Sequence, residues 1–340
     1  MQTTEPLVKA DNLSVKFNVG STGFWGQEAK WLSAVDNVSL HLDPGEVLGL
    51  VGESGSGKTT TGRAILRRVP IASGTVTFKG QDITHVKGEK LRNLRRNMQA
   101  VFQDPYDSLN PNQSVLEIIA EPLLVHGLIK NIKEARPEVK EFLDLVGMPT
   151  DAVDRYPHAF SGGQRQRIGI ARALALKPEF IVADEPVSAL DVSIQAQIVN
   201  LMQDLRSELN LTYLFIAHDL SVVRHISDRI AIMYAGQLVE TSDRTSVYDR
   251  PSHPYTQALL SAVPIPDPVV ESQRKRLKVV GEVPNLIDPP EGCRFSSRCP
   301  YVRDRCLAEA PELREIAPKH EVACHFVEDI PALSLAAMGS

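Results

Sequence analysis

The chain has 340 residues, 43% hydrophobic and 23% charged, and its 37 basic and 42 acidic residues leave a net charge of −5. That balance is ordinary for a folded protein of one large domain or two smaller ones, and it excludes a disordered or collagen-like chain. An acidic total argues against broad binding to a nucleic-acid backbone, which needs clustered Lys and Arg. No run reaches the roughly 18 apolar residues of a membrane helix, and residues 1–6 lack an export-signal pattern, so a cytosolic chain is expected.

From residue 7 to 263, short apolar runs alternate with amphipathic stretches, the pattern of an α/β fold with a mostly parallel sheet covered by helices. Val47-Leu-Gly-Leu-Val51, Phe180-Ile-Val-Ala183, Tyr213-Leu-Phe-Ile-Ala217 and Ile230-Ala-Ile-Met-Tyr234 are short and continuously apolar, which predicts buried strands. The run Gly20-Ser-Thr-Gly-Phe-Trp-Gly26 reads as a surface loop. Strand-like runs stop between Gln103 and Ser161. There Ser114-Val-Leu-Glu117 is a capping box that opens a helix, and residues 138–146 form a second one that Gly147 ends, giving a helical insertion over about residues 104–165. Near Pro264 the texture changes. Pro264, Pro266 and Pro268 precede Arg274-Lys-Arg276 and a tail rich in Pro, Gly and Cys, which divides the chain into residues 1–263 and 264–340.

Gly52-Glu-Ser-Gly-Ser-Gly57-Lys58-Thr59 fits a phosphate loop, with an apolar strand before it and a helix-forming stretch after it. Glycines let backbone N–H groups turn toward phosphate oxygens, Lys58 adds a point charge, and the Thr59 hydroxyl can ligate Mg²⁺. Asp184 and Glu185 end an apolar strand, where a carboxylate is costly unless paired or bound to a cation. Asp184 therefore suits Mg²⁺, and Glu185 suits polarising an attacking water. Ser161-Gly-Gly-Gln164 opens a helical stretch, with Ser161 as N-cap, and on its own reads as a plain cap or a second anion-binding terminus.

In this order, joined by Gln103, Ser188-Ala-Leu-Asp191 and His218, these motifs resemble an ABC-transporter ATP-binding subunit over roughly residues 7–234. The resemblance implies a phosphate-loop ABC ATPase core with a helical subdomain. It assigns Gly52, Glu53, Ser54, Gly55, Ser56, Gly57, Lys58 and Thr59 to Walker A, adds Thr60 to the nucleotide-binding residues, and assigns Gln103 to the Q-loop. Ser161, Gly162, Gly163 and Gln164 become the signature, Asp184 and the catalytic base Glu185 Walker B, Asp191 the D-loop, and His218 the γ-phosphate switch. Phe160 stands where the signature usually begins with Leu. Phe17 would stack on adenine, with a core phenylalanine as the alternative, and Mg²⁺ would fall to Thr59, Gln103 and Asp184. Such subunits pair head to tail, so that the signature of one chain completes the phosphate loop of its partner, and Gln103 lies where a transmembrane subunit would make contact.

All four cysteines, Cys293, Cys299, Cys306 and Cys324, lie within the last fifty residues. In a reducing compartment they read as a metal or cluster site before a disulfide framework. Their spacing, C-x5-C-x6-C-x17-C, matches neither the close pairs of zinc ribbons nor the ferredoxin patterns, so spacing alone leaves an iron–sulfur cluster, zinc and metal-free thiols open. His320 and His325 are substitute ligands or structural residues.

The cysteine segments, with Gly281-Glu-Val-Pro284 and the run His253-Pro-Tyr-Thr-Gln-Ala, resemble the C-terminal extension of oligopeptide and dipeptide importer ATP-binding subunits. Phe24-Trp25-Gly26 is more like the second ATPase subunit of such importers. The resemblance implies ATP-driven peptide import at the cytoplasmic face of the cell membrane and a [4Fe–4S] cluster on the four cysteines. It also implies a second homologous ATPase as partner in a heterodimer, two transmembrane permease subunits, an external peptide-binding protein and no nucleic acid. Nickel and other small-solute importers share parts of this tail and stay open. A soluble ABC ATPase working on DNA or the ribosome would favour basic patches, a long coiled-coil insertion or tandem cores, and the sequence has none.

Overall fold

The computed structural model describes residues 5–22, 28–104, 108–263, 277, 279–331 and 333. In chain order the strands are β1 (Val8–Thr22), β2 (Glu28–Leu42), β3 (Val47–Val51), β4 (Ser73–Phe78), β5 (Gln81–Asp82), β6 (Met98–Val101), β7 (Phe180–Asp184), β8 (Thr212–Ala217), β9 (Arg229–Tyr234), β10 (Gln237–Asp243), β11 (Arg314–Ala317) and β12 (His320–Val322). The helices are α1 (Lys58–Ile65), α2 (Gly88–Arg96), α3 (Val115–Val125), α4 (Arg136–Leu145), α5 (Gly162–Leu174), α6 (Val192–Leu209), α7 (Leu220–Ile226), α8 (Arg244–Asp249), α9 (Pro254–Ala262) and α10 (Asp304–Ala308). The chain divides into two compact units. One gathers described residues of 1–8, 42–47 and 77–217, and the other those of 9–41, 48–76 and 218–340.

In the first unit β6, β7 and β8 run parallel, with Met98 opposite Phe180 and Phe180 opposite Thr212. Every residue of β7 and β8 is buried, which is why both read as unbroken apolar runs rather than alternating ones. Helices fill the stretch between β6 and β7. At the start of α3, Ser114 Oγ accepts from the Glu117 N–H, and the Glu117 carboxylate accepts from the Ser114 N–H at 2.7 Å, the reciprocal box expected from the sequence. These bonds to Ser114 hold the Glu117 carboxyl below its ordinary value. The next helix, α4, starts earlier than expected, at Arg136, because Pro137 is preorganised for a first helical turn. It stops at Leu145, and Gly147 takes φ +66° just beyond.

In the second unit β3 lies parallel to β9, while β9 and β10 form an antiparallel pair turned at Ala235 and Gly236, both at positive φ. The sheet of this unit is thus mixed rather than mostly parallel: two residues between strands leave no room for the crossover that parallel pairing needs. β1 and β2, fifteen residues each, form a further sheet with β4. Of the loop expected at 20–26, residues 20–22 belong to the end of β1, and residues 23–26 lie outside the described residues. So do Pro264, Pro266, Pro268 and the basic run at 274–276. Beyond them the chain returns to the same unit. Glu240 of β10 pairs with Val322 of β12, β11 follows on β12, and the Ala323 N–H donates to the Val239 carbonyl at 2.9 Å. No helix among the described residues is long and apolar enough to cross a membrane.

Candidate nucleotide site and cysteine pocket

The phosphate loop connects β3 to α1 in the second unit. Its glycines answer to different constraints. A Cβ on Gly52 would stand 2.1 Å from the Met233 carbonyl oxygen, and one on Gly57 would stand 2.4 Å from the Ala34 oxygen. Gly55 has open space around it, but its φ of +78° favours glycine. Lys58 is buried, and its Nζ donates to the carbonyls of Gly52 at 2.7 Å and Glu53 at 2.9 Å, so the lysine spans the loop it belongs to. Ser54 is exposed at the loop tip, Thr59 and Thr60 are half-buried in the first turn of α1, and the buried Ser56 Oγ has no hydrogen-bond partner. Phe17, on β1, is half-buried rather than a core phenylalanine. His218 is exposed, next to Asp219, which caps α7 by accepting from the Ser221 N–H at 2.8 Å.

The first unit holds the other expected residues. Gln103 Nε2 donates to Glu185 Oε2 at 3.1 Å, joining two groups 82 positions apart. Glu185 has φ +48°, a left-handed conformation that costs a non-glycine residue free energy. It is retained because its N–H donates to Ile216 O at 2.9 Å and Ser188 Oγ donates to its carbonyl at 3.1 Å. Asp184, one residue earlier, is buried at the end of β7. Ser161 and Gln164 form a second capping box, at the start of α5. Gly163 permits α6 to come close, since a Cβ there would lie 2.5 Å from Ile194 Cγ2. Asp191 is the exposed residue before α6 and makes no side-chain cap bond.

Cys293, Cys299, Cys306 and Cys324 are all free, and all four line one cavity of about 20 Å³ together with Phe295, Tyr301 and His325. Burial pushes the Cys293 thiol up to about 12 and Cys299 up to about 11, and the neighbouring cysteines push in the same direction. Among the described residues no three His, Cys, Asp or Glu side chains come together as a site for a single ion. His320 is engaged elsewhere: it is buried, with Nε2 2.7 Å from Glu240 Oε1. His325 lines the cavity, and its Nε2 lies 2.9 Å from the Glu309 carbonyl oxygen.

Sequence reasoning gave no role to Arg298 or Tyr255. Arg298 grips both carboxylate oxygens of Glu53, at 2.8 and 3.1 Å, and Tyr255 Oη accepts from the Glu53 N–H at 2.9 Å. The one sequence signal was a pair of arginines, Arg294 and Arg298, set between two cysteines.

A family model described as ABC transporter matches residues 35–188, and one described as oligopeptide/dipeptide transporter, C-terminal region, matches residues 239–306. The oligopeptide transport ATP-binding protein AppF of Bacillus subtilis (strain 168) is 52% identical over 306 residues, which cover 90% of this chain and 93% of AppF. The chain belongs to the ABC transporter family. The oligopeptide transport ATP-binding protein OppF of Streptococcus mutans is 51% identical over 94% of this chain and 95% of its own length. Among solved structures, the post-hydrolysis dimer of the ATP-binding cassette MJ0796 bound to ADP and Pi superposes with a TM-score of 0.61 at 29% identity. It covers 70% of this chain and 98% of that one, so the ABC ATPase fold is shared over nearly the whole cassette. The importer region of this ABC ATPase begins inside β10, the strand on which the tail hairpin pairs.

Proposed function

We propose that this ABC ATPase binds and hydrolyses ATP to energise import of oligopeptides or dipeptides. One observation carries the reading: a phosphate loop spanned by its own lysine and a Glu185 carboxylate held by Gln103 occur in a chain whose tail matches the oligopeptide/dipeptide transporter region. The loop N–H groups and Lys58 take the β- and γ-phosphates, and Phe17 stacks on adenine. Glu185, aimed by its own turn and by Gln103, accepts the proton of the attacking water, while His218 acts at the γ-phosphate. Thr59, Gln103 and Asp184 offer hydroxyl, amide and carboxylate oxygens, a donor set suited to Mg²⁺, which when bound supplies charge neutralisation at the phosphates.

The signature Ser161, Gly162, Gly163 and Gln164, with Asp191, serves the nucleotide of a second, homologous ATPase subunit in a head-to-tail heterodimer. Two permease subunits and an external peptide-binding protein complete the complex, with this chain at the cytoplasmic face of the membrane. In this reading residues 1–263 form the ATPase domain, with the helical subdomain at about 104–165, and residues 264–340 the linker and cysteine-rich region.

The resemblance of the tail to the importer region assigns a [4Fe–4S] cluster to the four cysteines, with zinc or metal-free thiols as the alternatives; what supports it is that all four thiols line one cavity, as ligands to one group must. Four cysteine ligands saturate such a cluster, so its contribution is to order the tail.

The test is ATPase activity of the assembled complex in vesicles, with and without a peptide-loaded binding protein. Peptide should stimulate turnover, and Lys58→Ala should abolish it. Stimulation by nickel and not by peptide would reassign the solute. Anaerobically purified chain should carry about four irons and matching sulfide; stoichiometric zinc without iron would replace the cluster.

A further inference from the structure

Arg298 joins two parts of the chain that lie 245 positions apart. Its Nη1 and Nη2 donate to Glu53 Oε2 and Oε1, a fork-on-fork pair in which the arginine side chain is only 12% exposed and the glutamate 35%. The guanidinium carbon lies 5.7 Å from the centre of the Tyr234 ring, and Nη1 also donates to Tyr234 Oη at 3.4 Å. Glu53 is the second residue of the phosphate loop, and each of its polar groups is engaged. Tyr255 takes its N–H, Lys58 takes its carbonyl, and Arg298 takes its carboxylate.

The segment that carries Arg298 is anchored as firmly. Phe295 packs edge-on against Tyr234 at 5.2 Å between ring centres and lies 5.5 Å from Tyr255, while Arg294 donates to the Ala235 carbonyl and pairs with Asp36. Cys293 and Cys299 bracket the segment, and both line the cysteine cavity. A displacement of Cys299 therefore moves the adjacent arginine and the loop carboxylate it grips.

We propose that Arg298 is a positioning residue for nucleotide binding: by clamping Glu53 it holds the phosphate loop in its binding shape, and it makes ATP affinity depend on the order of the cysteine segment 293–299. The inference rests on the reading of residues 52–59 as the ATP phosphate site and adds the tail as a determinant of that site. The partner of the clamp is a side chain of the loop, so what it contributes is the shape of the loop. A loop found in its competent shape about one-tenth as often binds about tenfold more weakly. Couplings between distinct sites commonly fall in the range of about 5- to 150-fold.

The experiment is the ATP dissociation constant of the full chain, titrated with a fluorescent ATP analogue. The variants are Arg298→Ala, Glu53→Gln, their double, Arg298→Lys, and Arg303→Ala as a control. Arg303 lies in the same tail, 4.1 Å from the centre of the Phe326 ring, and pairs with Asp329 at 2.7 Å. Arg298→Ala and Glu53→Gln should each weaken ATP about tenfold, the double no more than either, and Arg298→Lys should recover part of the loss. Arg303→Ala should bind as the parent does. In the assembled transporter KM should rise by the same factor while kcat stays within about twofold. Parental affinity in Arg298→Ala, losses that multiply in the double, an equal loss in Arg303→Ala, or a fall in kcat at unchanged KM would each overturn the proposal. Where Arg298→Ala does not fold, Arg298→Lys decides, since parental affinity together with parental affinity in Glu53→Gln removes the clamp. A parent chain that binds no ATP removes the phosphate-loop reading, and the proposal goes with it.

Discussion

Gly57→Ala sets a methyl group 2.4 Å from the Ala34 carbonyl oxygen and 2.7 Å from Met233 Cε, at a φ of +104°. Favourable carbon contacts begin at about 3.5 Å, so about 1 Å of separation has to be found. The β2 backbone beside Ala34 is tied down, with the Asp36 N–H donating to Gly236 O at 2.8 Å, so the loop yields rather than the strand. A misplacement of about 1 Å at a reacting centre costs about 100-fold in rate, equivalent to about 2.7 kcal/mol, and a loss of the same size is expected for the loop's hold on the phosphates. Forcing alanine into this backbone region adds about 1–3 kcal/mol of strain to folding. The full chain should therefore bind a fluorescent ATP analogue about 100-fold more weakly and melt at a lower temperature. Gly55→Ala separates the two effects. Its φ is +78° but nothing lies within 4 Å of the added methyl, so strain remains without the clash and the affinity loss should stay under about tenfold. Parental binding by Gly57→Ala, or an equal loss in Gly55→Ala, would refute the steric argument.

Glu185→Gln keeps an oxygen that can accept from Gln103 Nε2 but loses the base, so ATP should still bind while turnover of the complex falls by about 10²–10⁴. Hydrolysis at the parental rate would place the base elsewhere. Ser161→Arg should leave ATP binding by the isolated chain intact and impair hydrolysis only in the paired subunits; loss of binding in isolation would contradict the division of labour between loop and signature. Ser114→Ala removes the acceptor for the Glu117 N–H and should lower stability by about 1 kcal/mol in urea unfolding, with ATP affinity unchanged. An unmoved unfolding midpoint would mean that the box contributes nothing at this helix.

What could be read from the sequence was local. The capping box at Ser114 spans four residues and the N-cap at Ser161 sits at the head of its helix, and the apolar run before Asp184 announces a strand covered on both faces. The phosphate loop is legible for the same reason, since its glycines, lysine and threonine are contiguous. The antiparallel pairing of β9 with β10 was missed because an apolar run carries no direction, and only the turn at Ala235 and Gly236 sets it. The clamp on Glu53 was out of reach on different grounds. Glu53 reads as a member of the phosphate loop and Arg298 by itself as a solvated charge, and no contiguous pattern links the two. For His320 the sequence left a substitute ligand and a structural residue open, and the partner that makes it structural, Glu240, lies 80 positions away.

The hairpin of β11 and β12 also bears on how the ATPase survives in solution. β10 has five buried residues among its seven and would, without β12, offer an open row of backbone donors and acceptors to any other strand. The tail ends that row with two short strands. The outermost, Arg314–Ala317, is four residues long and carries Arg314, which is tied to Glu328 at 2.6 Å, and the charged Glu315. Short length and charge are what discourage pairing between copies. A chain shortened to residues 1–263 would keep every nucleotide motif but lose both this guard and Arg298, so its expected failure is aggregation through β10 together with ATP binding about tenfold weaker.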